Sequence, residues 1–265
     1  MNPVRRFAAA LREMRWGQVF VELALLIVGI LVALAVDGWI DARRDARTER
    51  QYLELLVRDL DQDLETLDEV VTFEGAQAAA AALAYRALRD GAAPQDREAT
   101  AAALGQLTAR RTLRLVRATY TDLLSTGHLH LIRNADLRDR IVRMYETNER
   151  AQLIRDRNNQ EFVDRMYMTY LLDQGLVAPR PTRNLAAVSS SDGKFANRTA
   201  VPVDTNHDLL WRLPPDAPQW TILSGRVWYR GLVSEGAIEQ SHQMAGEIGA
   251  VRQEITTELS ARRWP

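Results

Sequence analysis

The feature that most constrains this chain is an uninterrupted apolar run near its amino end. Residues 19–36 read VFVELALLIVGILVALAV, and Glu22 is the only charged residue among these 18. With the next four residues the run makes a helix of about 22 residues, roughly 33 Å long, which is enough to cross a bilayer. Trp16 and Trp39 lie at its two ends, where tryptophan rings favour the lipid headgroups. The sequence predicts a transmembrane helix over residues 19–40.

The alternative interpretation of this run is a cleaved signal peptide. Ala33-Leu34-Ala35 has the small-x-small form of a cleavage site. Against cleavage, the apolar run is longer than the ~7–15 residues of a usual signal-peptide core, and helix-forming sequence follows it without a break. The sequence therefore favours a permanent anchor.

The flanks of the apolar run bear on its orientation. Four arginines precede it and four follow it by residue 50, so the positive-inside rule gives no direction. Acidic residues are more frequent after the run, which favours a cytoplasmic amino end. We expect residues 1–18 to form a basic cytoplasmic leader and residues 41–265 to form a domain outside the cytoplasm, in a single-pass membrane protein.

Helix-forming sequence continues beyond the apolar run. Apolar residues recur at spacings of three and four with charges between them, which predicts an amphipathic helix close to a heptad pattern. An alanine-rich stretch extends the helix to Arg89, and the segment from Asp90 to Pro94 ends it, because glycine and proline oppose helix continuation. The apolar stripe is Leu53, Leu56, Leu60, Leu64, Leu67 and Val71.

Capping residues predict the remaining helices. Asp96 is a candidate cap for a helix over residues 97–109, and a helix opened by Thr119 or Thr121 is expected to stop at Gly127. Asn134 predicts the start of a long helix that Gly175 closes.

A last helix is expected from about residue 220 to 262, with a final stripe at Ile248, Val251, Ile255 and Leu259. Residues 176–219 carry six prolines and read as a long irregular connection. The predicted fold class is all-α: one transmembrane helix that continues into an antiparallel bundle of long helices.

Composition excludes several classes of chemistry. There is no cysteine, which excludes disulfides, thiolate zinc sites and iron–sulfur clusters. Lys194 is the only lysine, so Schiff-base and P-loop chemistry have almost no candidate residue. The net charge of −1 gives no electrostatic reason to expect nucleic acid as a partner. We expect no cofactor, no bound metal and no nucleic-acid partner.

Two segments of the chain resemble a known family. The run from Glu22 through Leu34 followed by Asp37-Gly38-Trp39, the helix with Tyr52-Leu53 and Asp59-Leu60-Asp61, and the segment from Thr119 to Arg138 are similar to a family of uncharacterised bacterial single-pass inner-membrane proteins. The resemblance covers residues 15–75 and 117–146. It implies an inner-membrane anchor with a helical domain outside the cytoplasm, and it implies no activity or catalytic residue.

Glu22 is the residue of the apolar run with the most functional interest. A carboxylate one turn inside a membrane is costly, and such residues often mark a contact or a proton path. Pairing with Arg15 or Gln18, or reaching the headgroups, is the plainer interpretation, and a lone carboxylate makes a poor proton relay. Gly29 and Ala33 form a small-xxx-small face that would allow close helix approach, either to a second copy or to another membrane protein.

Two groups of polar residues invite a metal-site hypothesis. His128 and His130 flank Leu129, but no third ligand lies at a recognisable spacing, so hydrogen-bonded or surface histidines are expected. The run Asp59, Asp61, Asp63 and Glu65 lacks the glycine of a calcium loop and lies in predicted helix, so we expect a solvated face.

Aromatic residues around the proline-rich connection supply the candidate contact site. Trp211, Trp220, Trp228 and Tyr229 are close in sequence, and they either pack the connection on the bundle or bind a partner or ligand. The sequence favours a membrane-anchored helical interaction or sensory module without catalytic activity. The alternatives are an accessory subunit of a larger membrane complex, or an envelope enzyme assembled from residues such as His128, His130 and Glu146.

Overall fold

The computed structural model describes residues 16–91, 94–176, 208–262 and 264, and this part of the chain is helical throughout its regular structure. The predicted all-α fold is confirmed. The helices are α1 (Trp16–Asp90), α2 (Arg97–Gln106), α3 (Ala118–Ser125), α4 (Ala135–Asn158), α5 (Thr169–Asp173), α6 (Asp208–Trp211) and α7 (Pro218–Ala261). Short 3-10 turns span Pro94–Asp96 and His128–Leu131, and a π-helical segment, Asn159–Met168, joins α4 to α5.

Helix α1 is a single element of 75 residues that includes the whole candidate membrane span. Side chains from Phe20 to Asp45 are all exposed, and burial begins at Ala46. Among the described residues this is the one helix long and apolar enough to cross a membrane, with a mean hydropathy of 2.5 over its most apolar window. The bundle therefore begins about two turns beyond the end of the span.

The carboxyl half of α1 packs against α7 through a strict heptad pattern. Buried α1 residues alternate at spacings of three and four, as in coiled coils, where such positions face a partner helix. The two helices are antiparallel, since Glu49 contacts Arg262 and Glu74 contacts Arg230. The buried row of α1, which we name the seam, is Ala46, Glu49, Leu53, Leu56, Leu60, Asp63, Leu67, Val70, Glu74, Gln77, Ala81, Ala84 and Leu88.

The facing row of α7 has the same spacing. Its members are buried, and half-buried Ala237 continues the register where the row would otherwise skip a turn. The row is Leu223, Val227, Arg230, Ser234, Ser241, Met244, Ile248, Val251 and Ile255. Three of the four residues in the predicted final stripe are thus buried, and Leu259 packs on the core as a partly buried residue.

Helix α4 and the π segment together form the third long helical element of the bundle, antiparallel to α7. A buried row of α4 runs from Leu137 to Arg155 at spacings of three and four, with Tyr145 buried beside it. From Arg155 onward this row continues at every fourth residue, through Asn159, Val163, Tyr167 and Leu171. A π-helix holds more residues per turn than an α-helix, so a spacing of four keeps one face towards the core.

The glycine and asparagine signals at helix ends are confirmed. Helix α1 ends at Asp90, and Gly91, Gly127 and Gly175 have φ values of 78°, 71° and 66°, the left-handed region that glycine adopts without a Cβ clash. The Asn134 side chain accepts a hydrogen bond from the backbone N–H of Leu137 and caps α4. Asp96 makes no side-chain cap, and α2 ends at Gln106, three residues earlier than expected.

The buried face of α1 differs in part from the predicted apolar stripe. Leu64 and Val71 are half-buried, with Leu64 packed against the core, because the seam passes through Asp63, Val70 and Glu74 instead. The predicted stripe was drawn through hydrophobic residues alone. The heptad register that faces α7 also includes some polar residues, which are therefore buried. The Leu153 side chain of α4 is 65% exposed. Asp63, expected on a solvated face, is fully buried.

The expected irregular connection over residues 176–219 is only partly within the described chain. Residues 177–207 lie outside it. The remainder includes α6, and α7 starts at Pro218 in the first-turn position that proline tolerates. Helix α7 then runs unbroken through Gly225, Gly231 and Gly236.

Candidate functional site: a cavity between α1, α4 and α7

A cavity of about 420 Å³ lies where α1, the α4–π junction and α7 meet. We name it the central cavity. Its volume is within the range of small-molecule sites. Its lining combines charged, amide, aromatic and aliphatic side chains: Glu74, Arg155, Asn158, Asn159, Phe162, Tyr229, Leu232, Val233, Gly236, Ala237 and Gln240.

Arg155 is the most unusual residue of the central cavity. Its side chain is almost entirely buried, with the residue 4% exposed. Its Nη2 donates to the carbonyl of Ala237 and to the Ser241 hydroxyl, each at 2.8 Å. Its Nε and Nη1 have no hydrogen-bond partner among the described residues. Burial lowers the pKa of Arg155, and the Glu74 charge partly offsets this effect.

Glu74 pairs with a second buried cation, Arg230. Its Oε2 accepts from the Ser234 hydroxyl at 2.7 Å and lies 3.5 Å from Arg230 Nη1. Arg230 is 1% exposed and also donates to the carbonyls of Leu107 and Ala109. Burial lowers the pKa of Arg230, and the Glu74 carboxylate opposes that shift. Glu74 and Arg230 thus form a buried ion pair across the interface between α1 and α7.

The apolar wall of the central cavity contains a pair of aromatic rings. The ring centroids of Phe162 and Tyr229 lie 4.9 Å apart with the planes tilted by 58°, an arrangement that aromatic pairs favour. Phe162 and Asn159 come from the π segment. π-Helical turns in proteins are frequently found at functional sites, because they present side chains in directions that a regular helix does not.

The structure separates the four aromatic residues predicted to form one contact site. Trp211 and Trp220 meet, with ring centroids 5.8 Å apart, and the Trp220 indole donates to the Pro214 carbonyl at 2.8 Å. Trp228 is 52% exposed on α7. Tyr229, the next residue, lines the central cavity, since consecutive helical residues point in different directions.

Trp211 and Trp220 line a second cavity of about 520 Å³ at the carboxyl end of α1. Arg97 lies over the Trp211 ring, with its guanidinium carbon 5.3 Å from the ring centroid. Both indoles pack α6 and the start of α7 onto the bundle as partly buried residues beside one of its core clusters. The packing role that the sequence left open is therefore present for these two tryptophans.

The histidines make local hydrogen bonds. His128 Nδ1 lies 3.0 Å from the Tyr52 hydroxyl, which donates to Asp122 Oδ2 at 2.7 Å. That hydrogen bond to Asp122 is the main cause of the raised pKa of Tyr52. His130 Nδ1 lies 2.7 Å from the Gly127 carbonyl. Within the described ranges, no cluster of three or more histidine or acidic residues is placed to hold a metal ion.

Glu146, the remaining residue of the enzyme alternative, lies elsewhere. It is exposed on α4, and its charge contributes to the raised pKa of Tyr120, for which burial is the main cause. The structure does not bring Glu146 to either histidine in any described contact.

The acidic run on α1 divides into different roles. Asp59 accepts from the backbone N–H of Thr119 at 3.1 Å, and Asp61 pairs with Arg252 of α7. Asp63 accepts from the backbone N–H of Val116 at 2.7 Å, while its second carboxylate oxygen is buried without a partner among the described residues. These carboxylates hold two parts of the chain against α1. One is the segment that leads into α3, and the other is helix α7.

Glu22, Gly29 and Ala33 are exposed on α1. A Cβ atom added at Gly29 would meet no other atom within 4 Å, so this face is open to a neighbouring helix. Arg15 and the side chain of Gln18, the expected partners of Glu22, lie outside the described part of the chain.

Sequence reasoning identified one residue of the central cavity, Tyr229, and missed the charged ones. The missing signal was the heptad register: Glu74 and Arg155 occupy positions that continue the buried rows of α1 and α4. A charged residue at such a position is costly, and it therefore marks either a buried ion pair or a site.

No protein-family model, curated protein or solved structure matches this chain. The resemblance to single-pass inner-membrane proteins accordingly stays a prediction.

Proposed function

We propose that this protein is a single-pass membrane-anchored sensory module without catalytic activity, whose helical bundle binds a ligand on the outer side of the bacterial inner membrane. One observation carries the proposal: the helix that contains the candidate span also supplies a wall of the central cavity. Glu74 lies in the same unbroken α1 as residues 19–40.

The position of the central cavity supports a sensory role. At ~1.5 Å per residue, Glu74 lies about 50 Å along the helix from the end of the candidate span. Ligand contacts at this level would act on α1 directly, without an intervening loop. Sensing requires differential binding to two arrangements of such an element.

Membrane location and orientation are tested by reporter fusions. We expect alkaline phosphatase fused after Pro265 to be active and green fluorescent protein fused there to be dark, because the domain is exported. The intact mass of the protein purified from the membrane fraction should correspond to a chain that includes residues 1–40. Fluorescence of the second fusion, or a mature soluble chain that lacks this segment, would contradict the proposal.

Ligand binding is tested by thermal unfolding of the full chain in lipid nanodiscs. We expect at least one pool of small molecules to raise the unfolding temperature, because a ligand that binds the folded state stabilises it by mass action. The matched control is Val233→Trp, which enlarges a cavity-lining side chain and should abolish the shift. The absence of a shift with every pool would count against ligand sensing.

An accessory subunit of a membrane complex is the second candidate function, and the open face of Glu22, Gly29 and Ala33 favours it. In this case Glu22→Leu should abolish co-purification of a membrane partner while the bundle keeps its unfolding temperature. Leu23→Ile, one position along the same helix, is the control. Unchanged co-purification with Glu22→Leu would remove this candidate.

A further inference from the structure

We infer that the central cavity binds a small monocarboxylate with an apolar body, and that Arg155 is the partner of the carboxylate group. This inference rests on the proposed function, because it names the ligand class of the same site. The observation behind it is that Arg155, a lining residue of a cavity of ligand size, has a buried guanidinium with two nitrogen atoms that lack a partner among the described residues.

The charges around the central cavity do not balance. Glu74 is engaged by Arg230 and Ser234. Asp156, the other acidic residue whose charge acts on Arg155, pairs with Arg114 at 2.8 Å. Among the described residues, the hydrogen bonds of Arg155 itself go to a carbonyl and a hydroxyl, both neutral. One buried positive charge is therefore left without a carboxylate partner of its own in the described structure.

A buried cation without a counter-charge is costly, and the cost falls when an anion binds beside it. Hydrogen bonds between a guanidinium and a carboxylate are among the strongest in proteins. A single negative charge suits the site, because a dianion such as phosphate would meet the nearby Glu74 carboxylate with only one unpaired cation to offset it.

The opposite side of the cavity determines the chemistry of the ligand beyond its carboxylate group. Phe162 and Tyr229 present two aromatic rings, and Leu232 and Val233 add aliphatic surface. Apolar lining with a few placed polar groups is typical of small-molecule sites. An aryl or alkyl chain of a carboxylic acid would cover this surface while its carboxylate reaches Arg155.

The test is isothermal titration of the full chain in nanodiscs, with empty nanodiscs subtracted. The probes are 3-phenylpropionate and hexanoate, each compared with its neutral amide of the same shape. We expect each acid to bind about 10- to 100-fold more tightly than its amide, a difference of about 1.4–2.8 kcal/mol, because hydrogen bonds to a charged group are stronger than those to a neutral one. This comparison uses the wild-type chain and does not depend on the folding of any variant.

Arg155→Met removes the charge and keeps a side chain of similar length. We expect it to abolish the preference for acids over amides, and we expect Arg155→Lys to retain part of it. The matched control is Arg165→Met in the adjoining π segment, where the guanidinium is exposed and pairs with Glu161 at 2.9 Å. This control should bind both acids as the wild type does.

Equal affinities for acids and amides, no acid binding at about 10 mM, or an unchanged acid preference in Arg155→Met would overturn the inference. If neutral pools shift the unfolding temperature and the acids do not bind, the proposed function stands and the ligand class is wrong. If neither the pools nor the probes bind, the sensory proposal fails with it.

Discussion

Arg262 Nη1 donates to Glu49 Oε2 across 3.0 Å, joining two residues that are 213 positions apart in the chain. Glu49 is 1% exposed, and its other oxygen accepts from the backbone N–H of Arg133 at 2.9 Å. One buried carboxylate thus ties the end of α7 and the segment before α4 to α1, at the end of the bundle nearest the candidate span.

Glu49→Gln should destabilise the fold by about 2–4 kcal/mol, because it leaves the Arg262 charge without its buried partner. Urea unfolding of the full chain in detergent, followed by circular dichroism, measures the loss. The control is Glu54→Gln, which breaks the exposed Arg50–Glu54 pair and should cost about 0.5 kcal/mol or less. Equal losses for the two variants would contradict the structural role of Glu49.

Asp63 should make stability depend on pH. Burial raises the pKa of Asp63 from 3.8 to about 6, with Asp59 adding to the rise and the Val116 N–H opposing it. A carboxyl whose pKa is raised in the folded state stabilises the fold fully below the unfolded pKa. This stability is lost as the pH rises through 6.

Asp63→Asn should therefore be more stable than the wild type at pH 7.5 by about 2–3 kcal/mol, since each pKa unit corresponds to about 1.4 kcal/mol. The gain should shrink towards zero at pH 3.8. Unfolding temperatures recorded from pH 4 to 8 measure it. Asp68→Asn, exposed on the same helix, should leave the pH profile unchanged, and a similar profile for both variants would disprove the role of Asp63.

Glu74→Gln should cost about 3–5 kcal/mol, because Arg230 would stay buried without its counter-charge. The double variant Glu74→Gln with Arg230→Met should recover much of this loss, since both charges are then absent. Denaturant titration of the single and double variants gives the coupling. Glu69→Gln, whose partner Arg111 is on the surface, is the control with a small expected loss. Additive effects in the double variant would argue against the ion pair.

Gly231 of α7 lies against Ala81 of α1. A Cβ atom at this position would lie 3.1 Å from the Cβ of Ala81, which is closer than ordinary contact. Gly246→Ala, in open space on the same helix, should gain about 1 kcal/mol from helix propensity. We expect Gly231→Ala to be less stable than Gly246→Ala by about 1–3 kcal/mol in thermal unfolding. Equal stabilisation would show that the helices do not meet here.

Helix positions were predictable from the sequence because local signals determine them. Gly91, Gly127 and Gly175 end segments through their backbone conformation, and Asn134 caps α4 through its own side chain. These effects act within a few residues. The apolar run of α1 was equally evident, because its length and composition alone set it apart.

The candidate site was not predictable, because it depends on pairing between distant segments. The burial of Glu74 makes sense only beside Arg230, 156 positions away, and Arg155 reaches Ala237 across 82. The π segment was also missed, since its residues have the same composition as an ordinary amphipathic helix. Tyr229 was found only because aromatic residues are conspicuous near a proline-rich connection.

The unbroken course of α1 has a mechanical consequence. Helix α1 is about 110 Å long and has no break between residue 16 and residue 90, so a rotation at one end is transmitted to the other. A few degrees of rotation at the level of Glu74 would turn the surface around Gly29, in the candidate span, by a comparable angle. Under the proposed function, this rotation would report ligand occupancy across the bilayer with no change in secondary structure.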